Sequence, residues 1–111
     1  NMAINIDPTY YEAYYNRALA HEEKKQFTEA EEDLTRTLAL NPTISQAYEA
    51  RGRVRAAQRN YDQAIDDITR YLRVGAGHKY DNHSEMQGYL FMLRVQRLFW
   101  KLLNRRKKSD S

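Results

Sequence analysis

The run HKYDNH is the part of this sequence best suited to holding a metal ion, because His78, Asp81 and His83 lie within reach of one cation. Zinc asks for a closed tetrahedral shell of ligands, and helical histidine ligands usually come at an i, i+4 spacing. The run supplies neither a fourth ligand nor that spacing, so it reads as turn residues and no metal is assigned. The pairs Glu22–Glu23, Glu31–Glu32 and Asp66–Asp67 would suit acid–base work only if both carboxylates converged on one point. Adjacent residues on a helix point in different directions, so the pairs read as solvated faces. There is no cysteine, which excludes a thiol nucleophile, a cysteine zinc site and a disulfide framework. A nucleophile elbow, a phosphate-cradling glycine loop and a metalloprotease helix are also missing. These residues point to no enzyme and no cofactor. The chain has to be read for its surfaces.

Charge helps to place those surfaces. The net charge of the 111 residues is +3. From Arg94 onward there are seven basic residues against one acid, Asp110. What precedes is mildly acidic, so the basicity belongs to the tail and implies no specific nucleic-acid partner. Hydrophobic residues at 41% and charged residues at 30% fit a folded chain. No apolar run approaches the roughly 18 residues of a membrane span.

The elements that must carry any surface are legible from a repeat. At an offset of 34 residues, Pro8 falls on Pro42, Ala13 on Ala47, Tyr14 on Tyr48 and Arg17 on Arg51. The register continues with Ala18 on Gly52, Phe27 on Tyr61, Ala30 on Ala64, Asp33 on Asp67, Leu34 on Ile68 and Leu38 on Leu72. Each unit reads as helix, tight turn, helix. First helices are expected over about residues 10–24 and 44–58, and second helices over about 28–40 and 62–74, with boundaries good to ~2–4 residues. Thr9 with Glu12, Thr28 with Glu31, and Thr43 with Gln46 have the spacing of capping boxes, and Asp62 is a simple N-cap candidate. Ala18/Gly52 and Ala30/Ala64 are small where helices must approach closely. One such hairpin buries too little to fold alone and needs a neighbour.

These residues resemble the tetratricopeptide repeats. Tyr14, Ala18, Ala30 and Pro42 match the family pattern in one unit, and Tyr48, Gly52 and Ala64 match it in the next. Arg17 and Arg51 replace the usual leucine, His21 and Arg55 replace a tyrosine, and Ala76 stands in for a closing proline. The resemblance implies an all-α superhelical solenoid with units at 11–44 and 45–78. Residues 1–10 align with the segment before the second unit, Ile4 and Ile6 falling opposite Leu38 and Leu40, and so read as the end of a preceding repeat. On this reading the chain is the C-terminal piece of a longer array.

The resemblance also implies a non-catalytic module whose first helices line a concave, partner-binding face. That face would carry Glu12, Tyr15, Asn16, Leu19 and Glu23, then Gln46, Glu49, Ala50, Arg53 and Ala57. A mixed polar and tyrosine face suits a protein or peptide ligand, with Tyr15 as an anchor. His21 would pack or line the groove. Some family members clamp acidic chaperone tails with lysines, arginines and asparagines. Asn16 matches one clamp position, but Gln46 and Ala50 stand where lysine and arginine are needed, so the clamp is not supported in these two units.

Residues 79–111 complete the chain. The stretch VGAGHKYDNHS reads as a loop, with Ser84 and Gln87 as a capping box for a long final helix. Along that helix Arg94, Gln96, Arg97, Lys101, Asn104 and Arg105 gather on one side. Tyr89, Phe91, Met92, Leu93, Val95, Leu98, Phe99, Trp100, Leu102 and Leu103 cover most of the rest. Repeat arrays need a terminal cap, which this helix supplies, yet its apolar arc is wider than one neighbour requires. The surplus suits self-association, another segment of the full protein, or a groove of the calmodulin kind that takes a basic amphipathic helix. A membrane surface, favoured by Trp100 and the cluster Arg105, Arg106, Lys107 and Lys108, is the weaker option.

Overall fold

The computed structural model describes residues 10–110, with side chains through Arg105 apart from Gly77. The described chain is helical throughout, with no strand: α1 (Tyr11–Glu23), α2 (Phe27–Leu40), α3 (Ser45–Ala57), α4 (Tyr61–Arg73), a single turn α5 (Ala76–Lys79) and α6 (His83–Asp110). The alignment of Ile4 and Ile6 with a preceding repeat, and the box at Thr9, lie outside the described residues.

Consecutive helices pack as antiparallel neighbours, α1 on α2, α2 on α3, α3 on α4, and α4 on α6. The core is correspondingly in two pieces. One joins Ala18, Ala30, Leu34, Leu38, Ala47, Ala50 and Val54, and so is shared by α1, α2 and α3. The other joins Ala64, Ile65, Ile68 and Tyr71 of α4 to Ala76, Met86, Leu90 and Leu93. Tyr48 packs against both. Each hairpin is therefore completed by the helix that follows it, as stacked units require.

Small residues set the approach of the helices. Ala18, Ala30 and Ala64 are fully buried. At Gly52 an added Cβ would sit 2.6 Å from Ile68 Cδ1 and 3.3 Å from the Ala64 carbonyl oxygen, so α3 and α4 meet through a glycine. The turn inside each hairpin uses a left-handed residue at the same repeat position, Lys25 at φ 61° and Arg59 at φ 63°.

The helix starts differ from the capping boxes expected. α2 begins at Phe27 and α3 at Ser45, and neither has a side-chain cap. The Thr43 hydroxyl instead donates to Asn41 Oδ1 at 2.6 Å, and the Thr43 amide donates to the same oxygen at 3.1 Å. This Asx-turn, built around Pro42, satisfies donors before the helix begins and replaces the box. α4 starts at Tyr61 behind Asn60, two residues earlier than a cap at Asp62 would allow. α6 starts at His83, so Ser84 falls inside its first turn.

The loop at 74–84 also needs correction. Gly75, at φ 79°, turns the chain out of α4, and α5 then forms with Ala76 buried in the core. The Tyr71 hydroxyl donates to Asn82 Oδ1 at 2.8 Å and ties α4 to the start of α6. Among the described residues no helix is long and apolar enough to cross a membrane.

Candidate functional site

The charged residues are more organised than solvated faces would be. Arg17 donates from Nε and Nη2 to both oxygens of Asp33 at 2.7 Å, and Thr37 donates to the Asp33 carbonyl at 2.8 Å. Arg51 grips Asp67 the same way at 3.0 and 2.8 Å. Asp33 and Asp67 are each only 3% exposed, which overturns the reading of Asp66–Asp67 as a solvated pair. Planar guanidinium and carboxylate groups fit edge to edge through two parallel hydrogen bonds, so each clasp fastens the first helix of a hairpin to its second. An arginine where the family pattern has leucine is thus compensated within its own unit. Arg17 and Arg36 both lie 5.7 Å from the Tyr14 ring; Arg51 and Arg70 stand over Tyr48 at 5.7 and 5.0 Å.

A further chain of contacts crosses between the hairpins. Arg55 donates to Glu31 at 2.8 Å and to Asp67 at 2.9 Å, and Gln58 donates to Glu31 at 2.9 Å. Burial works to raise the Glu31 pKa, but the hydrogen bonds from Arg55 and Gln58 outweigh it and hold the carboxyl below its ordinary value. His21 Nδ1 donates to Gln26 Oε1 at 2.6 Å and Nε2 reaches Asp33 at 3.8 Å, a packing role at the hairpin turn.

On the other side of the stack α1, α3 and α6 line a groove. Its centre is Arg53 of α3, which donates from Nε and Nη2 to the Glu22 carboxylate of α1 at 3.0 Å each, and also pairs with Glu49 one helical turn earlier. Burial disfavours this cation, but its bonds to Glu22 and Glu49 prevail and raise its pKa. Two adjoining cavities meet at Arg53, Tyr89 and Met92. One, of about 480 Å³, extends past Glu22, Lys25, Phe27 and Ala57. The other, of about 370 Å³, extends past Glu49, Glu85 and Met86. Burial, then the Glu49 carboxylate, push the Tyr15 phenol up; burial does the same for Tyr89. Both rings therefore stay neutral and able to donate.

The expected concave residues divide. Tyr15 and Leu19 are half-buried against the α1–α3 core, Glu49 and Arg53 are central to the groove, and Glu23 and Ala57 line its edge. Glu12, Asn16 and Gln46 are exposed and line neither cavity. Ala50 is fully buried in the core and cannot meet a ligand, which corrects its assignment to the face. Glu22, read from the sequence as part of a solvated pair, instead binds Arg53 in the groove, and Glu85 and Met86 were not singled out. Glu22 is five residues before Phe27, which opens α2, so its helical position was readable, but its partner lies 31 residues away.

Within α6, Tyr89 and Trp100 are half-buried, while Phe91, Met92, Val95, Leu98, Phe99, Leu102 and Leu103 are exposed. Trp100 lies under the Arg59 guanidinium at 5.2 Å and so is held away from the exposed stripe. Arg97 reaches across to Asp62 on α4 at 3.4 Å, an ion pair at the surface. Arg105 is exposed; the side chains of Arg106, Lys107 and Lys108 lie outside the described residues. The rings of His78 and His83 stack at 3.9 Å, and among the described residues no three histidine or carboxylate groups are placed to share a metal.

Comparison with known proteins fits this architecture. The tetratricopeptide repeat is the family whose sequence profile matches, over residues 11–44, the span of the first hairpin and its Asn41–Pro42 joint. No curated protein matches the chain. With that match, a helical hairpin and small residues at the repeat's packing positions, residues 11–44 form a tetratricopeptide repeat, a kind of repeat that generally mediates protein–protein interactions.

Proposed function

We propose that this chain is a non-catalytic protein-interaction module, that residues 45–78 form a second repeat of the same family, and that the groove between α1, α3 and α6 holds a partner's peptide segment. The observation that carries this reading is the meeting of two cavities at Arg53, Tyr89 and Met92. A groove with apolar walls and a few convergent polar groups is the usual form of a ligand site. Met86, Met92 and Phe27 offer apolar contact, and Tyr89 adds rigid surface at low entropic cost. Carboxylates outnumber cations along it, Glu22, Glu23, Glu49 and Glu85 against Lys25 and Arg53, so the segment carries a lysine or arginine beside an apolar residue.

Selection of a displayed random peptide library against the chain tests this. The expected sequences pair a basic with an apolar residue. Their binding falls by about tenfold or more in Met92→Arg, which fills the junction with a bulky cation. The same peptides should bind Leu98→Glu, altered outside the groove, as they bind the parent. Peptides that ignore Met92→Arg would overturn the groove reading.

A further inference from the structure

α6 bears two apolar stripes on opposite sides. The inward one, Met86, Leu90 and Leu93, is buried against α4. The outward one recurs at four- and three-residue steps through Phe91, Val95, Leu98 and Leu102, with Phe99 and Leu103 beside it, and these six are 38–68% exposed. Alternating steps of four and three mark a seam for another helix. Together the six present on the order of 700 Å², close to the roughly 800 Å² that each partner gives to a standard interface.

The seam's edges say what fits. Arg94, Lys101 and Arg105 run along one edge, whereas Met92 and Phe99 run along the other. Lys101 stays 61% exposed while reaching Asp62 at 3.7 Å. A second copy lying antiparallel would set Arg94 across from the copy's Lys101, like charges flanking a shared seam. A parallel copy would press Arg94 against Phe99 and strip water from the cation with no counter-charge. Carboxylates along the facing edge relieve both problems. We infer that the outward face of α6 docks an acidic amphipathic helix of another protein, its apolar stripe on Leu98 and its carboxylates against Arg94 and Lys101. This surface adjoins the groove at Met92, but the inference does not depend on the groove.

The test uses the chain with a labelled synthetic helix carrying leucines at seam positions and glutamates at flanking positions, and with its lysine-for-glutamate twin. The acidic helix should bind saturably, the twin should not, and light scattering should show a monomer without peptide. Arg94→Glu with Lys101→Glu should weaken the acidic helix by about tenfold or more, and Leu98→Glu should abolish binding with helicity unchanged, since Leu98 is outside the core. No saturable binding, equal binding of both peptides, or indifference to Leu98→Glu would overturn the inference. A dimer dispersed by Leu98→Glu would overturn it in favour of a second copy. Capture of the chain by phosphatidylserine vesicles without acidic-helix binding would overturn it in favour of a membrane.

Discussion

Asp67 is the side chain on which most of the polar network converges. It is buried and accepts from Arg51 and Arg55, whose side chains are 15% and 14% exposed. Asp33 has a single close guanidinium, that of Arg17, which is 28% exposed. Removing a buried partner costs more than the pair is worth, because the remaining charge is left desolvated and unmatched. Asp67→Ala therefore strands Arg51 and takes from Arg55 one of its two carboxylates, whereas Asp33→Ala strands one guanidinium that water can still reach. Urea unfolding should show Asp67→Ala destabilising by about 3 kcal/mol, with Asp33→Ala costing clearly less. Equal losses would show that Arg55 contributes nothing to the cluster. The ingredients were visible in the sequence, since Arg17 and Asp33 recur together as Arg51 and Asp67. Their contact within each unit was not, because a separation of 16 residues spans a turn whose angle only packing sets.

At the scale of helices, Gly52 decides how closely α3 can lie on α4. Substitution by alanine removes a helix-weakening glycine, a gain of up to ~1 kcal/mol. Against that stands the Cβ contact with Ile68, a fully buried side chain with little room to move. Overpacking of this kind costs about 1–3 kcal/mol, so the loss prevails. Thermal melting of Gly52→Ala should show a lower midpoint than the parent. A raised midpoint would mean that the two helices can separate at no cost. The repeat register already singled out this position, and the helix spans read from the sequence agree with those observed to within a residue. The capping box at Thr43 did not form because Asn41 supplied the Asx-turn first, a local competition that spacing alone cannot arbitrate.

For the molecule as a whole, α6 is what closes the stack. Leu93 is 1% exposed against α4, whereas Leu98, five residues on, is 59% exposed. Leu93→Ala should cost about 2–5 kcal/mol, since it leaves a cavity between α4 and α6. Leu98→Ala should stay within about 0.5 kcal/mol of the parent. Denaturant midpoints of the two variants check the contrast. Similar losses would mean that both faces of the helix are covered by this chain itself.

Which residues belong to helices, where the hairpins turn and which small residues sit between them were determined locally, by a 34-residue register and by side-chain size. That much could be read without coordinates because each depends on neighbours in sequence or on the repeat. The tertiary structure alone decided which stripe of α6 faces inward, because apolar residues nearly encircle that helix and periodicity has no phase to choose. It also decided that Glu22, Arg53 and Tyr89, from three separate helices, meet in one groove. Burial and charge pairing across a stack depend on the angles between helices, and those angles are set by the packed core as a unit.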